Sequence, residues 1–285
     1  MAKLLMGKEV TAALNERIKS RVNELKAKNV FPKLAVLRVG AREDDLSYER
    51  SLIKRCDAVG IEVKPVFLPE DVTQAELVGS VRELNEDITV HGVLIFRPLP
   101  KHLDDEEVRK TLHTRKDIDG ITDGSLAGVY SGANLGYPPC TAEACIEILN
   151  HYGVEIEGKK CVVVGRSLVI GKPVSMMLLG KNATVTMCHS RTRDLAGICR
   201  DADILIAAIG KAGFIKAEHL SRGQTVIDVG INVDENGKLT GDVKFDDAEN
   251  LVEAVTPVPG GVGTVTTSVL ASHVAEAAFR ASMPK

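Results

Sequence analysis

The sequence predicts an α/β protein of two α/β lobes, the C-terminal one a Rossmann-like doubly wound sheet. Three observations carry this. Short apolar runs rich in β-formers alternate with amphipathic helical stretches, which argues for parallel strands joined by helices. The scheme occurs twice, on either side of the Gly- and Pro-rich segment SGANLGYPPCT (131–141), which makes a plausible linker. In the second half a glycine-bearing turn stands where a strand gives way to a helix.

In the first half the strands are KLAVLRVG (33–40), IEVKPVFL (61–68) and VHGVLIFRPLP (90–100). Helical patterns lie between them, one around 46–58 and one opened by Asp71-Val72-Thr73 and running to about Asn85. In the second half KKCVVVG (159–165), ATVTMCH (183–189), ADILIAAIG (202–210) and QTVIDVGIN (224–232) read as strands. GKPVSMMLLG (171–180) is a short helix with proline in its first turn, and a terminal helix runs from about Thr266 to Ala281. The expected domains are residues 1–140, completed by the terminal helix 266–285, and residues 141–265.

Bulk composition narrows the function. A length of 285 residues suits two ordinary domains, and 44% hydrophobic with 26% charged residues is the balance of a soluble globular chain. A net charge of −3 gives no reason to expect a nucleic-acid partner. The cysteines at 56, 140, 145, 161, 188 and 199 form no C-x-x-C pair, and the histidines form no H-E-x-x-H, so no metal site is expected. Nothing approaches the ~18 apolar residues of a membrane span, and no export signal is evident. The expectation is a cytoplasmic protein with reduced, buried thiols.

GRSLVIGKP (165–173) occupies the place at which a doubly wound sheet takes a dinucleotide, with amides and helix dipole toward the pyrophosphate. The glycines Gly165 and Gly171 are spaced G-x5-G and not G-x-G-x-x-G, so the turn alone is a weak signal. The next strand ends in Cys188-His189-Ser190-Arg191-Thr192. An acidic residue there would select NAD, and there is none. Ser190, Arg191 and Arg166 can instead hold a 2′-phosphate, since guanidinium grips phosphate in bidentate fashion, which favours NADP over NAD.

These stretches, taken with VIDVGIN (226–232), GDV (241–243), TPVPGGVG (256–263), the tyrosine-bearing helix, PLP (98–100) and KDIDG (116–120), resemble the methylenetetrahydrofolate dehydrogenase/cyclohydrolase family, called FolD in bacteria. The resemblance covers nearly the whole chain. It implies a two-domain homodimer that binds a tetrahydrofolate substrate in the interdomain cleft and NADP on the second domain. It implies oxidation of 5,10-methylenetetrahydrofolate by hydride transfer, followed in bifunctional members by hydrolysis to 10-formyltetrahydrofolate.

Residue by residue, the resemblance puts Tyr48 against the aminobenzoyl ring of folate and Asp119 on the pterin, where a carboxylate accepts two charge-assisted bonds. Taken alone, Asp119 before Gly120 reads as an ordinary turn residue. Pro259, Gly260, Gly261 and Gly263 match the loop that approaches both ligands, although Thr264-Val265 departs from the family's usual Pro-Met. Thr141, Gly165, Arg166, Ser167, Gly171, Ser190, Arg191 and Ile231 fall at cofactor-binding positions.

Two departures concern one step. Bifunctional members carry a lysine four residues after the tyrosine and a glutamine before Leu-Pro-Leu-Pro; here these are Leu52 and Phe96. Lys54 lies two residues on, roughly 200° around a helix, and Arg50 is also turned from Tyr48. Arg97, at the strand end, is the better-placed cation, but a guanidinium cannot serve as a base. The expectation is an NADP-dependent dehydrogenase whose cyclohydrolase step is weakened, lost or moved to another group. The alternatives are a fully bifunctional enzyme with a rearranged site, a dehydrogenase of similar lobes acting on a small acid such as shikimate, and a non-catalytic folate- or nucleotide-binding protein.

Overall fold

The computed structural model describes residues 1–234 and 237–283. The chain divides into two compact units, one of residues 1–12 and 141–266, the other of residues 13–140 and 267–285.

The first unit is built on a six-stranded, wholly parallel sheet. Its order across the sheet is Lys3–Leu4, Ala254–Val255, Thr225–Asp228, Ile204–Ala207, Lys160–Val164, Thr184–Cys188. Ile204–Ala207 and Thr225–Asp228 are buried at every position, as parallel strands covered on both faces must be. That is why they read as unbroken apolar runs. Val162, Val164, Leu205, Val226 and Val255 form the core with Ile215 and Ala248. Residues 1–12, expected with the other lobe, belong here because Lys3–Leu4 adds an edge strand beside Ala254–Val255.

Two more differences have clear causes. The strand expected to run to Asn232 ends at Asp228, where the Gly230 amide turns back onto the Asp228 carboxylate at 2.9 Å. Asn232–Val233 then pairs antiparallel with Leu239–Thr240 as a separate hairpin. The helix Cys140–His151 begins inside the segment read as a linker, directly after Pro138-Pro139, where prolines precede a helix without costing it a bond.

The second unit centres on Lys33–Val39, flanked by Glu62–Leu68 and Gly92–Ile95, all parallel. The helix Gln74–Glu86 carries a capping box, Thr73 accepting from Glu76 N–H while the Glu76 carboxylate accepts from Thr73 N–H at 2.9 Å. The helix Glu43–Val59 buries Asp45, Glu49, Leu52, Cys56 and Val59, one stripe at spacings of four and three, and stops at Gly60 in the left-handed region. The strand read as reaching residue 100 ends at Ile95, shortly before the prolines that cannot donate to a ladder. The N-terminal helix Gly7–Lys26, which starts in the first unit and continues into this one, was not expected from sequence.

All six cysteines are free and buried. Among the described residues no cluster suited to a metal occurs, and no helix is long and apolar enough to cross a membrane.

Candidate functional site

In the first unit the strand Lys160–Val164 runs into Gly165, whose backbone (φ 135°) lies outside the reach of ordinary side chains. A Cβ at Gly165 would stand 2.2 Å from the Ala208 carbonyl oxygen, and one at Gly171 would stand 2.2 Å from the Gly165 carbonyl oxygen. Backbone therefore packs on backbone, and Arg166, Ser167, Leu168 and Val169 bulge outward, exposed. Ser167 holds the bulge: its hydroxyl accepts from Ile170 N–H at 3.1 Å and its carbonyl from Lys172 N–H at 3.0 Å.

This changes one detail of the expected phosphate site. The Lys172 amide is already bonded, and Pro173 has none, so the first turn of the helix Gly171–Leu179 offers little to an anion. The exposed turn 166–169 is the accessible part.

Ser190 and Arg191 lie exposed on the turn after Thr184–Cys188, which is pinned by His189 N–H to Thr192 Oγ1 at 2.9 Å. Among the described residues neither Arg166 nor Arg191 has an ion pair. The nearest following acid, Asp194, is occupied in capping its own short helix through Gly197 N–H at 3.2 Å.

Pro259, Gly260, Gly261 and Gly263 line a cavity of about 200 Å³ together with Asp228 and Ile231. Ile231 is 67% exposed. The loop is anchored on the start of the chain, Gly7 N–H donating to the Gly260 carbonyl at 2.8 Å. Thr141 is half-buried, its carbonyl accepting from the Cys145 thiol at 3.3 Å.

In the second unit Tyr48 presents an exposed face, and Phe96 meets its ring edge-on, centroids 5.8 Å apart and planes at 83°. Leu52 belongs to the buried stripe of its helix and is wholly inaccessible. Arg97 is held by Asp105 in a bidentate pair, both contacts 2.6 Å, and Asp105 is shared with Arg109 at 3.1 Å. Lys54 and Arg50 are exposed.

KDIDG resolves into distinct tasks. The turn-forming residue is Asp117, which accepts from Ile121 and Thr122 N–H at 3.0 and 2.7 Å and from the Thr122 and Ser125 hydroxyls at 2.6 and 2.7 Å. Lys116 anchors the segment on the Leu84 and Asp87 carbonyls, both at 2.7 Å. Asp119 is half-buried, and its carboxyl accepts from the Cys140 thiol. Burial pushes its carboxyl up to about 6, against partial relief from Cys140 and His273.

Sequence reasoning missed three acids. Glu49, adjacent to Tyr48, forms a buried pair with Arg38 at 3.0 Å, and that guanidinium stacks on Phe67 at 4.2 Å. Its position on the stripe 45, 49, 52 was the available signal. Asp228 and Asp242, inside the motifs VIDVGIN and GDV, are both buried.

Two family models cover the chain between them. Residues 5–119 match the catalytic domain of tetrahydrofolate dehydrogenase/cyclohydrolase, and residues 139–282 match its NAD(P)-binding domain. The chain belongs to the tetrahydrofolate dehydrogenase/cyclohydrolase family. A relative named bifunctional protein FolD, from Clostridium kluyveri, is 49% identical over 277 residues, 97% of this chain and 98% of the relative. The bifunctional FolD enzyme of Campylobacter jejuni has the same structure with a TM-score of 0.95 at 35% identity, covering 98% of this chain and 99% of that one. The Trypanosoma brucei member, solved with NADP cofactor and inhibitor, gives 0.91 at 36% identity, covering 98% of both chains.

The raised Asp119 carboxyl has a consequence for stability. Its folded value of about 6 lies above the ordinary aspartate value of 3.8, so the folded state prefers the protonated form. That contribution is fully present below about pH 4 and is lost as pH rises through 6. Asp119→Asn is expected to be more stable than the parent by on the order of 1–3 kcal/mol at pH 7.5, with the difference vanishing near pH 4. Urea denaturation at the two pH values checks this; a variant less stable at pH 7.5 would contradict it.

Proposed function

We propose that the protein oxidises 5,10-methylenetetrahydrofolate to 5,10-methenyltetrahydrofolate with NADP, and that hydrolysis of the methenyl product is lost or strongly weakened. The observation that carries the second half is the apolar set around Tyr48: Phe96 edge-on to its ring and Leu52 buried one helical turn on.

The residues of the first unit fit the cofactor. The turn 165–171 is closed to any side chain at its two glycines, and two exposed guanidiniums without ion pairs flank it among the described residues. Arg191 and Ser190 would take a 2′-phosphate and Arg166 with the turn amides the pyrophosphate. When bound there, NADP supplies the hydride acceptor.

Tyr48 offers its exposed face to the aminobenzoyl ring, and Phe96 fixes the angle of that face. Asp119 accepts from the pterin N–H groups, and those bonds offset the cost of ionising a carboxyl that burial has raised to about 6. The reacting carbon lies between two nitrogens that stabilise the developing cation, so the protein has little acid–base work to do. Holding that carbon in a dry, oriented position is the main contribution.

Hydrolysis is different, because water must be activated or oriented at the cation. Leu52 and Phe96 offer no polar atom for this. Arg97 is paired with Asp105, and a guanidinium supplies no base. The relatives named bifunctional favour the other reading, full bifunctionality through a rearranged site. The resemblance alone adds a cytoplasmic location and a homodimer to the proposal.

Two outcomes are expected. Arg191→Ala raises KM for NADP by roughly ten-fold or more and leaves that for NAD unchanged; an equal effect on both would remove Arg191 from 2′-phosphate recognition. The double variant Leu52→Lys/Phe96→Gln, given methenyltetrahydrofolate directly, hydrolyses it about ten-fold faster than the parent or more, the lysine stem lying along the buried stripe and its ammonium reaching past Tyr48. No gain in a folded variant that still oxidises methylenetetrahydrofolate would mean that these two positions do not control the step.

A further inference from the structure

The motifs VIDVGIN and GDV meet in the first unit at two buried carboxylates. Asp242 is wholly inaccessible, yet among the described residues no lysine or arginine pairs with it. It is satisfied by four N–H donors from two separate segments. Oδ2 accepts from the amides of Ile209 at 2.5 Å and Gly210 at 2.9 Å. Oδ1 accepts from the Lys211 amide at 2.8 Å and from Asn232 Nδ2 at 2.9 Å.

Asp228 in turn holds Asp242. Its carboxylate accepts from the amides of Gly230, Asp242 and Val243, each at 2.9 Å. The two acids nest so tightly that a Cβ at Gly241 would stand 1.8 Å from Asp228 Oδ2, and one at Gly230 would stand 2.4 Å from Asp242 Oδ1.

The segments so gripped follow Ile204–Ala207 and Thr225–Asp228, at the carboxyl ends of adjacent parallel strands, where ligands of doubly wound sheets bind. Sheet order says which part of the ligand reaches them. The phosphate turn follows Lys160–Val164, and the 2′-phosphate residues follow Thr184–Cys188 on one side of it. Ile204–Ala207 and Thr225–Asp228 lie on the other side, so the nicotinamide half extends over their ends, beside the cavity that Gly230, Ile231 and the loop 257–264 line.

We propose that Asp242 is a positioning residue for hydride transfer, clamping Ile209–Lys211 and Asn232 into the backbone wall against which the nicotinamide half of the cofactor rests. It touches neither ligand; it acts through Ile231 and the 209–211 turn. The inference rests on NADP being the cofactor.

Only a carboxylate meets the four donors at once. Asparagine presents one oxygen and turns its NH2 toward the donors of the other. The test measures affinity for NADP and for 2′,5′-ADP, the adenosine half alone, in the parent, Asp242→Asn and Asn232→Ala. The second variant keeps the buried carboxyl group, removes one of the four bonds, and stands in if the first fails to fold. The expected result is a rise in Kd for NADP of about ten-fold or more in Asp242→Asn and about three-fold in Asn232→Ala, with 2′,5′-ADP unchanged within two-fold in both. Unchanged NADP affinity, or equal loss of both ligands, would overturn the clamp while the parent's binding of 2′,5′-ADP leaves the NADP reading intact. A parent that binds neither ligand would overturn both.

Discussion

The edge-on contact between Phe96 and Tyr48 is the interaction on which the proposed separation of the two reactions depends. An aromatic pair of this geometry is worth about 0.5–1.5 kcal/mol beyond the area it buries, and it keeps the tyrosine face at a fixed angle for a flat ligand ring. Leu52, one helical turn on from Tyr48, is wholly buried, so on the proposed function two apolar side chains stand where water would be activated. Hydride transfer tolerates such a lining, since its demand is orientation and dryness. Hydrolysis needs a polar atom to meet the water, and neither of these two side chains supplies one. On the proposed function, Leu52 and Phe96 separate two reactions that the family resemblance joins.

The acidic residues divide along a second physical line. Asp117 and Asp242 are buried and saturated by N–H and O–H donors, so they act as fasteners of backbone. Asp119 is only half-buried and its carboxyl is raised to about 6, which is a cost to the folded protein near neutral pH. Asp228 is raised to about 6 as well, burial outweighing its three backbone bonds with Asp242 nearby, yet it is fully engaged inside the fold. A raised carboxyl by itself therefore does not mark a binding residue. Partial exposure is what sets Asp119, the proposed pterin carboxylate, apart from Asp228.

Much of this was legible in the sequence. Parallel strands buried on both faces gave unbroken apolar runs, the Thr73–Glu76 box marked a helix start, and the order of the motifs carried the family. The stripe 45, 49, 52 was legible too, but the partner of Glu49, the buried Arg38 eleven residues earlier, was not. What stayed hidden depends on contacts distant in sequence. Nothing local says that Lys3–Leu4 pairs with Ala254–Val255, or that Asp242 bonds the amides of 209–211. Within KDIDG the roles of the two aspartates look alike until the turn bonds are seen to converge on Asp117. Arg97, the cation best placed by sequence, turned out to be committed to Asp105, eight residues on.

The separation of the two reactions is tested most directly by following both products of the unaltered protein in one cuvette. Methylenetetrahydrofolate is supplied with NADP, and NADPH and methenyltetrahydrofolate are recorded together against an enzyme-free control for methenyl decay. Methenyltetrahydrofolate accumulating in step with NADPH is the expected result. NADPH rising while methenyltetrahydrofolate stays low would contradict the account, because hydrolysis would then proceed in spite of Leu52 and Phe96.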